Sequence, residues 1–296
     1  MRSINRASPL GRAPALPSAL AGIFLCVLAC HASAKNLTKN PNEPKLKSSS
    51  VLIVDESDSS VLYSRNSDIA APIASITKLM TALVVLDAQQ PLDEPIRITE
   101  ADRDFPKASF SRLTVGTTLT RGDLMHLALM SSENRAAHAL GNNYPGGMPA
   151  MVVAMNAKAK ALGMSSAHFV DPTGLSSQNV ASPEDLSKLV IAASKNRTIR
   201  EYSTDRNYAV RVQKHLVEFR NTDRLVANPA WNIIVQKTGY IAEAGKCLVM
   251  AAVIEGRSVV IVLLDSFGKY TRVADAQRVK TWMESASNRH FQAEIR

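Results

Sequence analysis

The sequence predicts an α/β fold in the broad sense (α+β), with one antiparallel sheet assembled from N- and C-terminal segments and a helical region between them. Three observations carry this expectation. Runs rich in Val and Ile lie at both ends, at Val51–Val54 and Val61–Tyr63, then at Tyr208–Val212, Asn232–Gln236, Cys247–Ile254 and Ser258–Leu264. Between them, apolar residues recur at helical spacing. The tight link Glu255-Gly256-Arg257 joins the last two runs as a hairpin, which makes them antiparallel.

In chain order, residues 1–34 read as a secretory signal. Arg2, Arg6 and Arg12 form a basic start, Leu16 to Ala29 an apolar core too short to span a membrane, and Ala32-Ser33-Ala34 a cleavage site. Val27-Leu28-Ala29-Cys30 offers a lipoprotein box as an alternative, with Leu28 an indifferent fit. Residues 35–50 are polar and read as a flexible leader, so the folded domain is expected over 51–296. The run Ser75 to Leu86 places Leu79, Leu83 and Leu86 on one helical face. Pro91, Pro95 and Pro106 break the chain up to Leu119, and Thr120-Arg121-Gly122-Asp123 is a capping box opening a helix to Met130. Ser131 to Asn134 interrupts before Ala136 to Leu140 resumes. Met148 to Leu162 is a further helix stopped by Gly163, Ser182-Pro183 starts another, and Val273 to Ala286 is the last.

Composition narrows the function classes. With 296 residues and 46% hydrophobic content, the chain fills a sizeable core. Removing the signal, with three arginines and no acids, lowers the net charge from +9 to +6. A basic surface suits an anionic wall polymer or membrane, whereas no Lys/Arg tract interleaved with aromatics points to nucleic acid. Cys26 and Cys30 fall in the signal, so Cys247 stands alone and reads as a small buried residue. The histidines lack metal-ligand spacing, with His126 and His138 read as helix residues, and no phosphate or dinucleotide loop occurs, so no cofactor is implied.

The chemistry rests on three short motifs. Ser75-Ile76-Thr77-Lys78 sets a hydroxyl and an amine one helical turn apart, a nucleophile beside a base. This spacing alone arises by chance about once in such a chain, and Ser266-Phe267-Gly268-Lys269 repeats it. Ser132-Glu133-Asn134 lies between two helices, and Ser-x-Asn also recurs elsewhere, as at Ser64-Arg65-Asn66. Lys237-Thr238-Gly239 ends a strand and occurs once. It is the triple in this order and these settings that marks serine β-lactamases and penicillin-binding proteins.

On these motifs, with Asp171-Pro172-Thr173-Gly174-Leu175 and Tyr240 after the third, the chain resembles the low-molecular-mass penicillin-binding proteins, the D-alanyl-D-alanine peptidases, over about Val51 to Ala286. Its wording is most similar to the endopeptidase branch. The resemblance implies the serine β-lactamase/DD-peptidase-like fold and an acyl-enzyme on Ser75, with Lys78 as base and Ser132 as proton relay. It implies substrate contacts from Asn134, Lys237, Thr238, Gly239 and Tyr240, and an oxyanion hole made by the N–H groups of Ser75 and Tyr240. The expected partners are peptidoglycan stem peptides, with β-lactams as covalent inhibitors, in the periplasm and with peripheral wall or membrane association. A carboxypeptidase is the alternative. The chain stops soon after its last helix, leaving no room for the C-terminal domain and anchor usual in membrane-associated carboxypeptidases, which favours the endopeptidase. A class A β-lactamase is disfavoured, because no Glu-x-x-Leu-Asn follows Asn134 and Glu184-Asp185-Leu186 reads as a helix start.

Overall fold

The computed structural model describes residues 43–103 and 110–294, with side chains to residue 285. The expected signal and the first half of the leader, residues 35–42, lie outside the described residues. In chain order the elements are β1 (Ser48–Asp55), β2 (Val61–Arg65), β3 (Ala71–Pro72), a 3₁₀ turn (Ala74–Ile76), α1 (Thr77–Asp87), β4 (Pro95–Arg97) and β5 (Thr118–Thr120). There follow α2 (Arg121–Met130), α3 (Asn134–Asn142), α4 (Gly147–Ala161), β6 (Val180–Ala181), α5 (Pro183–Ser194) and α6 (Arg197–Thr204). The chain closes with β7 (Asn207–Val212), β8 (His215–Arg220), β9 (Asn232–Ile241), β10 (Gly245–Ile254), β11 (Arg257–Ser266) and α7 (Thr271–Glu294).

The central sheet has the order β2-β1-β11-β10-β9, all antiparallel, so N-terminal strands pair with C-terminal ones as expected. The middle stretches of its inner strands, Val51–Val54, Cys247–Ile254 and Val259–Leu264, are continuously apolar because both faces are covered. The two-residue period of a strand sorts their side chains. Val51, Ile53, Val259, Ile261 and Leu263 pack with Ala276, Val279 and Met283 of α7. Leu52, Val54, Val260, Val262 and Leu264 join the larger core shared with α1, α2 and α5. This arrangement leaves β9 as an edge strand facing the helical region, with the 3₁₀ turn at Ala74–Ile76 laid against it.

Several boundaries differ from expectation. The first strand starts at Ser48, where polar residues had read as leader. Buried Asp275 of α7 accepts from Ser48 N at 2.7 Å and Ser48 Oγ at 2.7 Å, so a partner 227 residues away gives this polar segment its strand start. The short helix α6 and strand β8 are additions. Only Ile199 and Ser203 of α6 are fully buried, with most of the rest half-buried, and it rests on an Asn196 cap, while β8 is joined to β7 through Gln213-Lys214 without a glycine. Thr120 caps α2 as expected, accepting from Asp123 N at 3.0 Å while Asp123 accepts from Thr120 N at 3.1 Å. Cys247 is buried, its thiol pushed up to about 11 by desolvation.

Candidate active site

Ser75 sits in the 3₁₀ turn ahead of α1 rather than in the helix's first α-turn. The turn is held from two sides by glycines. At Gly174, whose φ is +79°, an added Cβ would lie 1.9 Å from Ala74 O. At Gly239 it would lie 2.9 Å from Ile73 O and 3.3 Å from Ser75 N. Side chains at either position would push the turn away, so backbone approaches backbone on both sides. Ala74 itself is left-handed at φ +48°, a strained state for a residue with a Cβ that the two flanking segments maintain.

Lys78 is fully buried, and its Nζ donates to Ser75 Oγ at 2.9 Å, Asn134 Oδ1 at 2.7 Å and the Thr173 carbonyl at 2.6 Å. Asn134 is the first residue of α3, and Ser132 stands two residues before it at φ +61° in the α2–α3 break. Thr173 belongs to a loop organised by Asp171. That carboxylate accepts from Thr173 N, Thr173 Oγ1 and Gly174 N at 2.6–2.7 Å, and from Ser176 N at 3.1 Å. Asn179 and Thr81 tie the same loop to α1, through Thr77 Oγ1 and the Pro172 carbonyl.

Lys237, in β9, is fully buried and donates to the Thr238 carbonyl at 2.8 Å. Burial holds its pKa well below the ordinary 10.5, the charges of Lys78 and Arg272 push it the same way, and Asp223 opposes them. The two lysines are therefore electrostatically joined, although they lie 159 positions apart in the chain. Thr238 Oγ1 meets Thr222 Oγ1 at 2.6 Å, and Arg272 of α7 donates to the Gly239 carbonyl at 2.8 Å. Tyr240 is exposed, with Lys246 Nζ 4.2 Å from its ring centre.

Ser75, Lys78 and Asn134 thus share one hydrogen-bonded group, and Gly239 backs onto the turn that carries Ser75. Ser132 and Asn134 line a cavity of about 280 Å³ that also takes in Arg112 and Phe219. On the other side, Asn134 and Thr173 line one of about 430 Å³ with His138 and Leu175. Sequence reasoning missed the roles of Thr173, Gly174, Arg272 and Thr222. Asp171-Pro172-Thr173-Gly174-Leu175 entered only as a mark of the resemblance, and the main-chain carbonyl by which Thr173 acts leaves no residue-type signal. Beside Glu133, desolvation raises the carboxyl pKa, while Ser111, which bonds it, and the charge of Lys78 lower it.

Residues 37–268 match the model of the family described as D-alanyl-D-alanine carboxypeptidase. The chain is 49% identical to a D-alanyl-D-alanine endopeptidase of Pseudomonas aeruginosa, over 83% of this chain and 80% of that one. It is 47% identical to a D-alanyl-D-alanine endopeptidase of Escherichia coli, over 82% and 79%. Among solved structures, a Streptomyces DD-transpeptidase superposes with a TM-score of 0.76 at 28% identity, covering 81% of this chain and 98% of that one.

Proposed function

The chain belongs to the D-alanyl-D-alanine carboxypeptidase family of peptidases, and on that premise we propose that it is a serine endopeptidase cutting the peptide cross-links of peptidoglycan. The observation that carries the mechanism is Lys78 Nζ, 2.9 Å from Ser75 Oγ and held from behind by Asn134 and Thr173. A neutral lysine keeps two N–H donors for Asn134 and Thr173 and turns its lone pair to the Ser75 hydroxyl. Ser75 Oγ then attacks the D-alanine carbonyl carbon as Lys78 takes its proton. The N–H groups of Ser75 and Tyr240 receive the oxyanion, and the glycine at 239 lets β9 come close enough to the Ser75 turn for both to reach it. The C–N bond breaks, the leaving amine gains a proton through Ser132, and an ester on Ser75 remains. Water cleaves that ester, restoring the hydroxyl and releasing the acid. Asn134 orients the substrate amide, while Lys237 and Thr238 receive its carboxylate end. A β-lactam enters by the same attack and stays as a penicilloyl ester.

The endopeptidase reading is supported by relatives at 49% and 47% identity that carry that name. The family description favours a carboxypeptidase as the second reading. Purified protein offered cross-linked muropeptide dimers and free pentapeptide separates the two. Monomers from the dimer are expected; release of D-alanine from pentapeptide, with the dimer intact, would overturn the endopeptidase assignment. A β-lactamase reading has less support: Glu184, in the Glu-x-Leu stretch nearest to the pattern that activates a deacylating water, opens α5 and accepts a hydrogen bond from Ser67 at 2.9 Å. Export to the periplasm is part of the proposal. Among the described residues no helix is long and apolar enough to cross a membrane.

A further inference from the structure

The loop between β11 and α7 carries the second Ser-x-x-Lys of the chain, Ser266 to Lys269, and the acyl-transfer chemistry leaves it unused. Its exposure is unusual for its composition. Phe267 is 93% exposed, Tyr270 55%, and Tyr240, at the end of the groove strand, 60%. Three cations lie over or beside these rings. Lys246 Nζ is 4.2 Å from the Tyr240 centroid, Lys269 Nζ is 5.4 Å from that of Tyr270, and the Arg224 guanidinium is 5.8 Å from the same ring.

Strand register joins these residues into one surface. Tyr240 of β9 stands opposite Lys246 of β10, and Lys246 stands opposite Ser266 of β11, which Phe267 follows. Two residues beyond Tyr270, Arg272 reaches the Gly239 carbonyl at 2.8 Å. The surface therefore begins where the groove ends. Asp265, beside Gly245, and Glu243, in the turn between β9 and β10, bring carboxylates to its margin, whereas the groups over the rings themselves are cations. Single exposed apolar residues are ordinary on a protein surface, but a contiguous set of rings interleaved with cations marks an interaction site.

We propose that this ledge docks the carboxylate-bearing glycan–peptide polymer that contains the scissile cross-link. The proposal rests on the endopeptidase reading and extends substrate recognition beyond the groove. Continuity with β9 fixes the occupant, because whatever lies on the ledge adjoins whatever lies in the groove. Aromatic faces stack against the apolar C–H faces of sugar rings, and the cations complement stem-peptide carboxylates. A peptide in the groove and a sugar on the ledge are then parts of one molecule, and each strengthens retention of the other.

The test uses full-length protein carrying Ser75→Ala, so that no covalent ester forms, and measures co-sedimentation with purified insoluble peptidoglycan. Adding Phe267→Ser, Lys269→Ser and Tyr270→Ser together is expected to weaken sedimentation by about tenfold. The same three changes on the Ser75 protein are expected to leave the rate of fluorescent-penicillin labelling unchanged. Equal sedimentation of parent and variant overturns the ledge. So does a loss confined to sedimentation with anionic phospholipid vesicles. Should the triple variant misfold, Lys269→Glu alone carries the decision: weaker sedimentation, more salt-sensitive in the parent than in the variant, supports the ledge, and unchanged sedimentation overturns it. Failure of the endopeptidase reading shows separately, as an intact muropeptide dimer with sedimentation still dependent on the ledge.

Discussion

Lys78 Nζ lies within hydrogen-bond reach of Ser75 Oγ, Asn134 Oδ1 and the Thr173 carbonyl, and as a base it must be neutral when it acts. Lys237 belongs to the same electrostatic unit: burial holds its pKa well below 10.5, and the charge of Lys78 pushes it the same way, since two amines in one buried site cannot both hold a full charge without repulsion. Loss of Lys237 therefore removes a carboxylate partner and one member of this coupled pair. Lys237→Ala is expected to slow penicillin acylation by about 10²-fold or more, whereas Lys269→Ala leaves the acylation rate unchanged. Stopped-flow labelling measures both, and equal slowing would count against the assignment of Lys237. The same pair shows what a sequence can disclose. Both lysines follow a serine at related spacing or sit in a short motif, and only company in order told them apart. Arg272, whose guanidinium reaches the Gly239 carbonyl 33 positions back in the chain, had no such company and was invisible.

At the scale of elements, the decisive feature is a turn clamped between a loop and a strand. Gly174 and Gly239 meet Ala74 from opposite sides, and Asp171 keeps the loop in shape with four accepted hydrogen bonds. Gly174→Ala combines a positive φ with a 1.9 Å clash against backbone, so neither a rotamer change nor a small shift relieves it. A loss of about 2–4 kcal/mol in unfolding free energy is expected, with penicillin capture falling alongside it. Urea denaturation checks the first; a variant of unchanged midpoint would refute the clamp. Elements with strong periodicity were legible: α1 from its leucines, and the β10–β11 hairpin from Glu255-Gly256-Arg257. Those held by tertiary partners were not. Polar α6 has few buried residues to announce it, and the 3₁₀ geometry at Ser75 follows from the glycines of two distant segments.

For the whole molecule, buried titrating groups link the site to stability. Burial raises the pKa of Glu133 above the ordinary 4.5, so just above that value the folded chain holds more protons than the unfolded one. Stability from this group therefore falls as pH rises until the folded pKa is passed. Lys237 acts at the other end: between its lowered folded pKa and 10.5 the unfolded chain holds the extra proton, so stability rises with pH. Glu133→Gln removes the first effect, and thermal melts from mildly acidic to neutral pH are expected to show a smaller decline than in the parent. A decline of unchanged size would mean that Glu133 ionises as freely folded as unfolded. The overall plan, strands from both ends closing one sheet around a helical region, was readable because its inner strands are apolar on both faces, although the expected strand Tyr208–Val212 pairs with β8 in a separate hairpin. The approach of β9 to the Ser75 turn came only with the resemblance, which pairs the N–H groups of Ser75 and Tyr240; residue types alone do not announce a backbone-to-backbone contact.

The most direct measurement of the central claim is intact-protein mass spectrometry after exposure to benzylpenicillin, followed by mapping of the modified peptide. One penicilloyl group is expected per chain, on the peptide containing Ser75, and none on the Ser75→Ala protein. An adduct on any other residue, or one that survives Ser75→Ala, would contradict the account.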